Sequence, residues 1–133
     1  MKKIDHIGIA VKDLNASIPL FEKLLQTNCY KTEKVESENV ETAFFKIGES
    51  KIELVAGIAS PNSIEKYIDK RGEGLHHIAL EVEDLNGEMQ KLQHEGFHFI
   101  NKEAKEGADN KMVCFLHPKE TNGVLIELVA DKK

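Results

Sequence analysis

His6 and Glu53 in the first half of this 133-residue sequence have counterparts in the second half, His77 and Glu127. Each histidine opens a segment that a glutamate closes 47 or 50 residues later. Two neutral imidazoles and two carboxylates make a donor set for a borderline divalent ion, Co²⁺ first, with Zn²⁺, Ni²⁺ or Mn²⁺ as alternatives, and leave positions for water or substrate oxygens. Taken singly, each of the four reads as an ordinary polar side chain on the solvated face of a strand. The repetition favours the metal. A solvated face has no reason to keep His at both starts and Glu at both ends, or glycine or alanine beside each histidine.

These residues lie in an internal duplication. His6-Ile-Gly-Ile-Ala-Val-Lys-Asp-Leu-Asn15 precedes His77-Ile-Ala-Leu-Glu-Val-Glu-Asp-Leu-Asn86 by 71 residues, with six of ten positions identical, and Ile52-Glu-Leu-Val-Ala56 recurs unchanged as Ile126-Glu-Leu-Val-Ala130. A repeated unit sets the architecture before any single motif does. Each half reads as strand, helix, then three strands, so the fold class is α+β with two tandem βαβββ modules, about 1–72 and 73–133, in one domain. Residues 4–11 and 76–82 alternate with period 2. Leu14, Ile18, Phe21 and Leu25, and later Leu85, Met89 and Leu92, keep the spacing of one helical face. Pro19 must sit in the first helical turn or bend that helix. Further strands are predicted near 29–36, 40–47, 50–56, 97–101, 111–116 and 124–130. A short helix starting at Ser60-Pro61, with serine as N-cap, leads to a glycine-containing joint at 70–74.

Strand parity decides which way the repeated residues face. Ile7, Ile9 and Val11 form an apolar face for the helix, so His6, Gly8 and Ala10 lie on the other. His77, Ala79 and Glu81 oppose Ile78, Leu80 and Val82 in the same way. Glu53 and Glu127 each alternate with an isoleucine and a leucine.

Composition narrows the partners. A net charge of −5, with acids and lysines interspersed, offers no basic stripe for nucleic acid. No apolar run approaches the ~18–20 residues of a membrane span, and the N-terminus passes into charged sequence without a signal-like stretch, so a cytoplasmic location is expected. Cys29 and Cys114 belong to no C-x-x-C pair and read as reduced packing residues.

The sequence resembles the vicinal oxygen chelate superfamily, and within it the methylmalonyl-CoA epimerases. The resemblance runs over Asp5-His-Ile-Gly-Ile-Ala-Val11, Lys51-Ile-Glu-Leu54, Arg71-Gly-Glu-Gly-Leu-His-His-Ile-Ala79, Phe115-Leu-His-Pro-Lys119 and Gly123-Val-Leu-Ile-Glu-Leu128. It implies paired modules curling into a cup-shaped mixed sheet around one metal, with ligands at His6, Glu53, His77 and Glu127. It also implies 1,1-proton transfer on an acyl-CoA thioester through a metal-stabilised enolate.

Inversion needs a proton acceptor on one face and a donor on the other. Glu127 is the first base that the resemblance implies. For the second, some members place a glutamate in the strand matching 39–46. Alignment on Ala43-Phe44-Phe45 puts Thr42 there and Glu41 one residue away, so Glu41 is either the second base or a solvent-facing residue. Lys119 is available to a CoA phosphate beside a turn organised by His117. His76 should point away from the ligand face, and His94 and His98 to the surface. The loop 105–111 departs from the glycine-rich form of relatives. Glyoxalase I and the metal-free drug-binding proteins of this superfamily are the competing readings. Short modules leave strand edges to be covered, so a homodimer is expected.

Overall fold

The structure, a computed structural model, describes residues 1–132. Residues His6–His76 form one compact unit, and Met1–Asp5 join the chain from His77 onward in another. Each unit repeats the strand, helix and strand order that the duplication predicts, and the α+β class holds.

In the first unit the elements are β1 (Lys3–Ala10), whose first residues belong to the other unit, then α1 (Leu14–Leu25), β2 (Lys31–Val35), β3 (Val40–Ile47), β4 (Ser50–Gly57) and α2 (Ser63–Arg71). Strands lie in the order β2-β3-β4-β1. The β1–β4 pair is parallel and the other two are antiparallel, so the sheet is mixed. Helix α1 begins where Asp13 accepts the Asn15 N–H at 3.0 Å. Its apolar stripe of Ile18, Phe21 and Leu25 packs on Val11, Ala43, Phe45, Leu54 and Ala56. Phe45 and Leu54 are fully buried, and each contributes ~1.5–3 kcal/mol by leaving water. Pro19 falls in the second turn of α1, not the first; its missing N–H leaves the carbonyl of Asn15, an exposed residue, to solvent.

Helix α2 starts later than Ser60-Pro61. The cap is Asn62, whose Oδ1 accepts the Glu65 N–H at 2.8 Å while its Nδ2 donates to the Ala59 carbonyl. Ser60 instead donates its hydroxyl to the Glu65 carboxylate at 2.7 Å, and the Ser60–Pro61 bond is cis. The opposite side of the sheet carries a smaller cluster of Ala10, Val40, Val55 and Ile64.

The second unit holds β5 (Gly74–Glu81), whose first residues belong to the other unit, then α3 (Leu85–His94), β6 (Lys105–Glu106), β7 (Lys111–Phe115) and β8 (Ile126–Asp131), ordered β5-β8-β7-β6. Here β5 and β8 are parallel and β7 is antiparallel to both its neighbours. Asp84 caps α3 through the Gly87 N–H, and Leu85, Met89 and Leu92 pack on Val82, Cys114, Leu128 and Ala130.

Two expectations change in this unit. The strand predicted near 97–101 reduces to a single bridge between Phe99 and Leu116. Asn101 is the reason: its side-chain oxygen takes the Phe115 N–H at 3.3 Å, a donor that a regular ladder would need. The segment read as a loop at 105–111 is instead a tight hairpin. Asp109 and Asn110 both adopt left-handed backbone, at φ 61 and 58, which the shortest hairpin turns require and which Asp and Asn tolerate best. Among the described residues no helix is long and apolar enough to cross a membrane.

Candidate metal centre

In the first unit, the parallel register sets Gly8 beside Glu53. With no side chain at Gly8, the space next to the carboxylate stays open for the imidazole two residues earlier. His6 Nε2 lies 3.4 Å from Glu53 Oε1, with both side chains over nine-tenths buried. Across the antiparallel ladder Phe44 stands opposite Glu53 and closes the other flank.

The second unit builds the same arrangement. Ala79 registers beside Glu127, Phe115 stands opposite it, and His77 Nε2 lies 3.1 Å from Glu127 Oε1, again with both side chains buried. The His77 and Phe115 rings meet edge to face, centroids 6.3 Å apart at 82°. Each repeated histidine is thus brought to the glutamate of its own unit.

These separations suit two ligands of one ion. Donors ~2.1 Å from a common metal and 3.1–3.4 Å from each other subtend about 95–108° there, between octahedral and tetrahedral values. A direct charge-assisted hydrogen bond is shorter, as His98 and Glu120 show on the surface of the same chain, with Nδ1 and Oε2 2.6 Å apart. The donor chemistry and spacing therefore fit a divalent cation.

Glu41 is not brought to the His6–Glu53 pair. The register aligns Glu41 with Ala56 and Thr42 with Val55, so Glu41 shares the helix-side face of Ala43 and Phe45 while Thr42 and Phe44 share the face of Glu53. Of the two readings that the sequence leaves open for Glu41, the register puts its side chain on the face opposite Glu53, because a one-residue step along a strand reverses the side chain. Thr42 is buried and donates its hydroxyl to the Glu33 carbonyl at 3.3 Å. Lys119 is exposed on a 3-10 turn at Pro118–Glu120 that His117 precedes. His94 and His98 are exposed, as expected. His76 is half-buried, its ring edge-on to Tyr67 at 4.8 Å.

Behind β8, the Cys114 thiol is pushed up to about 12, first by burial and then by the nearby Glu127 charge, with a Leu128 backbone hydrogen bond acting the other way. It is a neutral packing group. Two residues flanking the carboxylates escaped the sequence reading, Phe44 and Phe115. Their signal exists only in register, since nothing in the order of residues tells which position of β3 or β7 will face a given glutamate.

Residues 5–115 match the Glyoxalase/Bleomycin resistance protein/Dioxygenase superfamily. The chain belongs to that superfamily. The Bacillus subtilis protein YqjC, uncharacterized, is 36% identical, the match covering 99% of this chain and 94% of that one. The ethylmalonyl-CoA/methylmalonyl-CoA epimerase of Cereibacter sphaeroides is 33% identical, covering 95% of this chain and 96% of its own. Among solved structures, a variant of Streptomyces coelicolor methylmalonyl-CoA epimerase in complex with 2-nitronate-propionyl-CoA superposes with a TM-score of 0.94 at 32% identity, covering 98% of this chain and 95% of that one.

Proposed function

We propose that this glyoxalase-superfamily protein is a metal-dependent epimerase that interconverts the 2R and 2S forms of methylmalonyl-CoA. The observation that carries the reading is the buried His–Glu pair built twice, His6 with Glu53 and His77 with Glu127, in a chain similar over nearly its whole length to acyl-CoA epimerases. The four side chains together would hold one divalent ion, Co²⁺ first. When bound, that ion supplies positive charge to offset the negative charge that develops on the thioester oxygen as the neighbouring proton leaves.

The protein's own groups do the rest. Glu127 takes the proton on a carboxylate oxygen, and Phe115, Ala79 and the buried Val129 beside it keep water from competing for that proton. Gly8 and Ala79, one beside each glutamate, leave room for substrate where larger residues would fill it. The second proton carrier is drawn from the duplication. Glu53 has the surroundings of Glu127, a small residue on one flank and a phenylalanine on the other, whereas Glu41 faces the helix. Strands β2 and β6 are edge strands, and a homodimer would cover such edges.

The test is deuterium wash-in at the acidic carbon of methylmalonyl-CoA in heavy water, followed from each stereoisomer. Exchange from both, dependent on added divalent metal, is the expected result. Absence of wash-in by metal-loaded protein would remove the epimerase reading and promote lactoylglutathione formation as the next reaction to assay.

A further inference from the structure

We propose that Ile100 determines specificity in the second unit, its side chain and the Phe115 ring forming the apolar track on which the thioester arm of the substrate lies beyond Glu127. The inference rests on the epimerase reading of the same site. Register carries it first. Phe115 stands opposite Glu127 across the β7–β8 ladder. On the other side of β7, the Phe99–Leu116 bridge and the bond from the Ile100 N–H to the Phe115 carbonyl, 2.8 Å, set Ile100 opposite Phe115. Phe99 packs on the helix-side cluster with Cys114 and Leu128. Alternation therefore turns Ile100 to the face of Phe115 and Glu127. Glu127, Phe115 and Ile100 thus follow one another across three adjacent segments of one sheet face.

Ile100 is 56% exposed, a large apolar side chain in water, yet its backbone is pinned. The His98 N–H donates to the Glu120 carboxylate at 2.7 Å, the His117 N–H to the His98 carbonyl at 3.0 Å, and Asn101 takes the Phe115 N–H. The ring beside it is fixed as well, edge to face with His77 and 5.8 Å from the Lys105 ammonium. The duplication shows that an apolar residue here is not a general property of the face. In the first unit the ladder sets Lys31 opposite Phe44, and that lysine is paired with Glu33 at 3.2 Å. One copy carries an ion pair where the other carries an isoleucine, so only the second matches a ligand with an apolar stretch. Paired segments of a sheet lie ~4.8 Å apart, which puts Ile100 about 10 Å from the Glu127 backbone. A one- or two-carbon branch on the reacting carbon is too short to cover that span. The sulfur and the ethylene unit that follows it in a CoA thioester reach it, and covering them with Ile100 favours binding.

Dimethylmalonyl-CoA, with no removable proton at the reacting carbon, measures affinity without turnover. The S-methyl thioester of dimethylmalonate keeps the carboxylate and the thioester oxygen but ends before the ethylene unit. Calorimetry on metal-loaded wild type, Ile100→Ala and Ile100→Leu is expected to show about fivefold weaker binding of the CoA thioester by the alanine variant, the scale of one methylene left uncovered, and recovery of most of it with leucine. Affinity for the S-methyl thioester should stay within about twofold. Equal loss with both thioesters would place the effect at the metal centre and overturn this assignment, as would full retention of both affinities by Ile100→Ala. A wild-type dimer that falls to monomer in Ile100→Ala, read by light scattering on the same samples, makes Ile100 part of an interface between copies and also overturns it. Failure of wild type to bind dimethylmalonyl-CoA overturns the substrate reading and this assignment with it.

Discussion

Nε2 of His77 stands 3.1 Å from Oε1 of Glu127, both buried, where an exposed pair in the same unit, His98 and Glu120, closes to 2.6 Å. Both separations lie within hydrogen-bond range, and the longer one is also the distance between two ligands of one divalent ion. The 3.4 Å separation of His6 and Glu53, built the same way, makes the metal the first matter to test.

Purified protein is expected to hold about one divalent ion per chain. His6→Ala, Glu53→Ala and His77→Ala should each weaken it at least about tenfold, since loss of even a supporting partner of a ligand costs ~10–100-fold. Metal analysis after dialysis decides the matter. Full occupancy in the His6→Ala/His77→Ala double variant would sink the assignment.

Glu127→Gln should keep part of the metal, because an amide oxygen still coordinates, and lose wash-in by far more than the metal loss explains. General-base removal commonly costs 10²–10⁴-fold. Parallel metal analysis and exchange rates on one preparation separate the two effects; loss in strict proportion would reduce Glu127 to a ligand.

Glu41→Gln should leave metal content and exchange from both isomers within about twofold of wild type, because its side chain lies on the face of the sheet opposite Glu53. A selective defect with one isomer would return Glu41 to the mechanism and displace Glu53 as second carrier.

Cys114 should resist alkylation in the native protein while half-buried Cys29 reacts; both should label after unfolding. Because the folded thiol titrates near 12 against an ordinary value of 9.0, its contribution to stability is fully present below about pH 9 and fades as pH rises toward 12. Denaturant titrations from pH 8 to 11 should show a shallower decline in Cys114→Ala.

Asn62→Ala should lower stability by about 1–2 kcal/mol through loss of the α2 cap. The side chain bonds both Glu65 N–H and the Ala59 carbonyl. A thermal melt matching wild type would show that the cap is dispensable.

The duplication, the module order, the helix faces and the four repeated His/Glu positions were all legible in the residues, because period-2 and 3–4 spacings and a repeated pentapeptide are local properties of a chain. Parity along one strand was enough to put His6 with Gly8, and His77 with Ala79, away from the helix. What the residues left open was register between strands. Whether Glu41 or Thr42 joins Glu53 differs by one step of pairing, and only the β3–β4 ladder decides it. The same holds for Phe44 and Phe115, which stand opposite the glutamates on strands distant in sequence. The 97–101 strand failed for a related reason. Its apolar alternation is weak, and a single side chain, Asn101, takes the Phe115 N–H, a competition that no local pattern records. Local periodicity assigns a residue to a face, and long-range hydrogen bonding chooses its neighbours there.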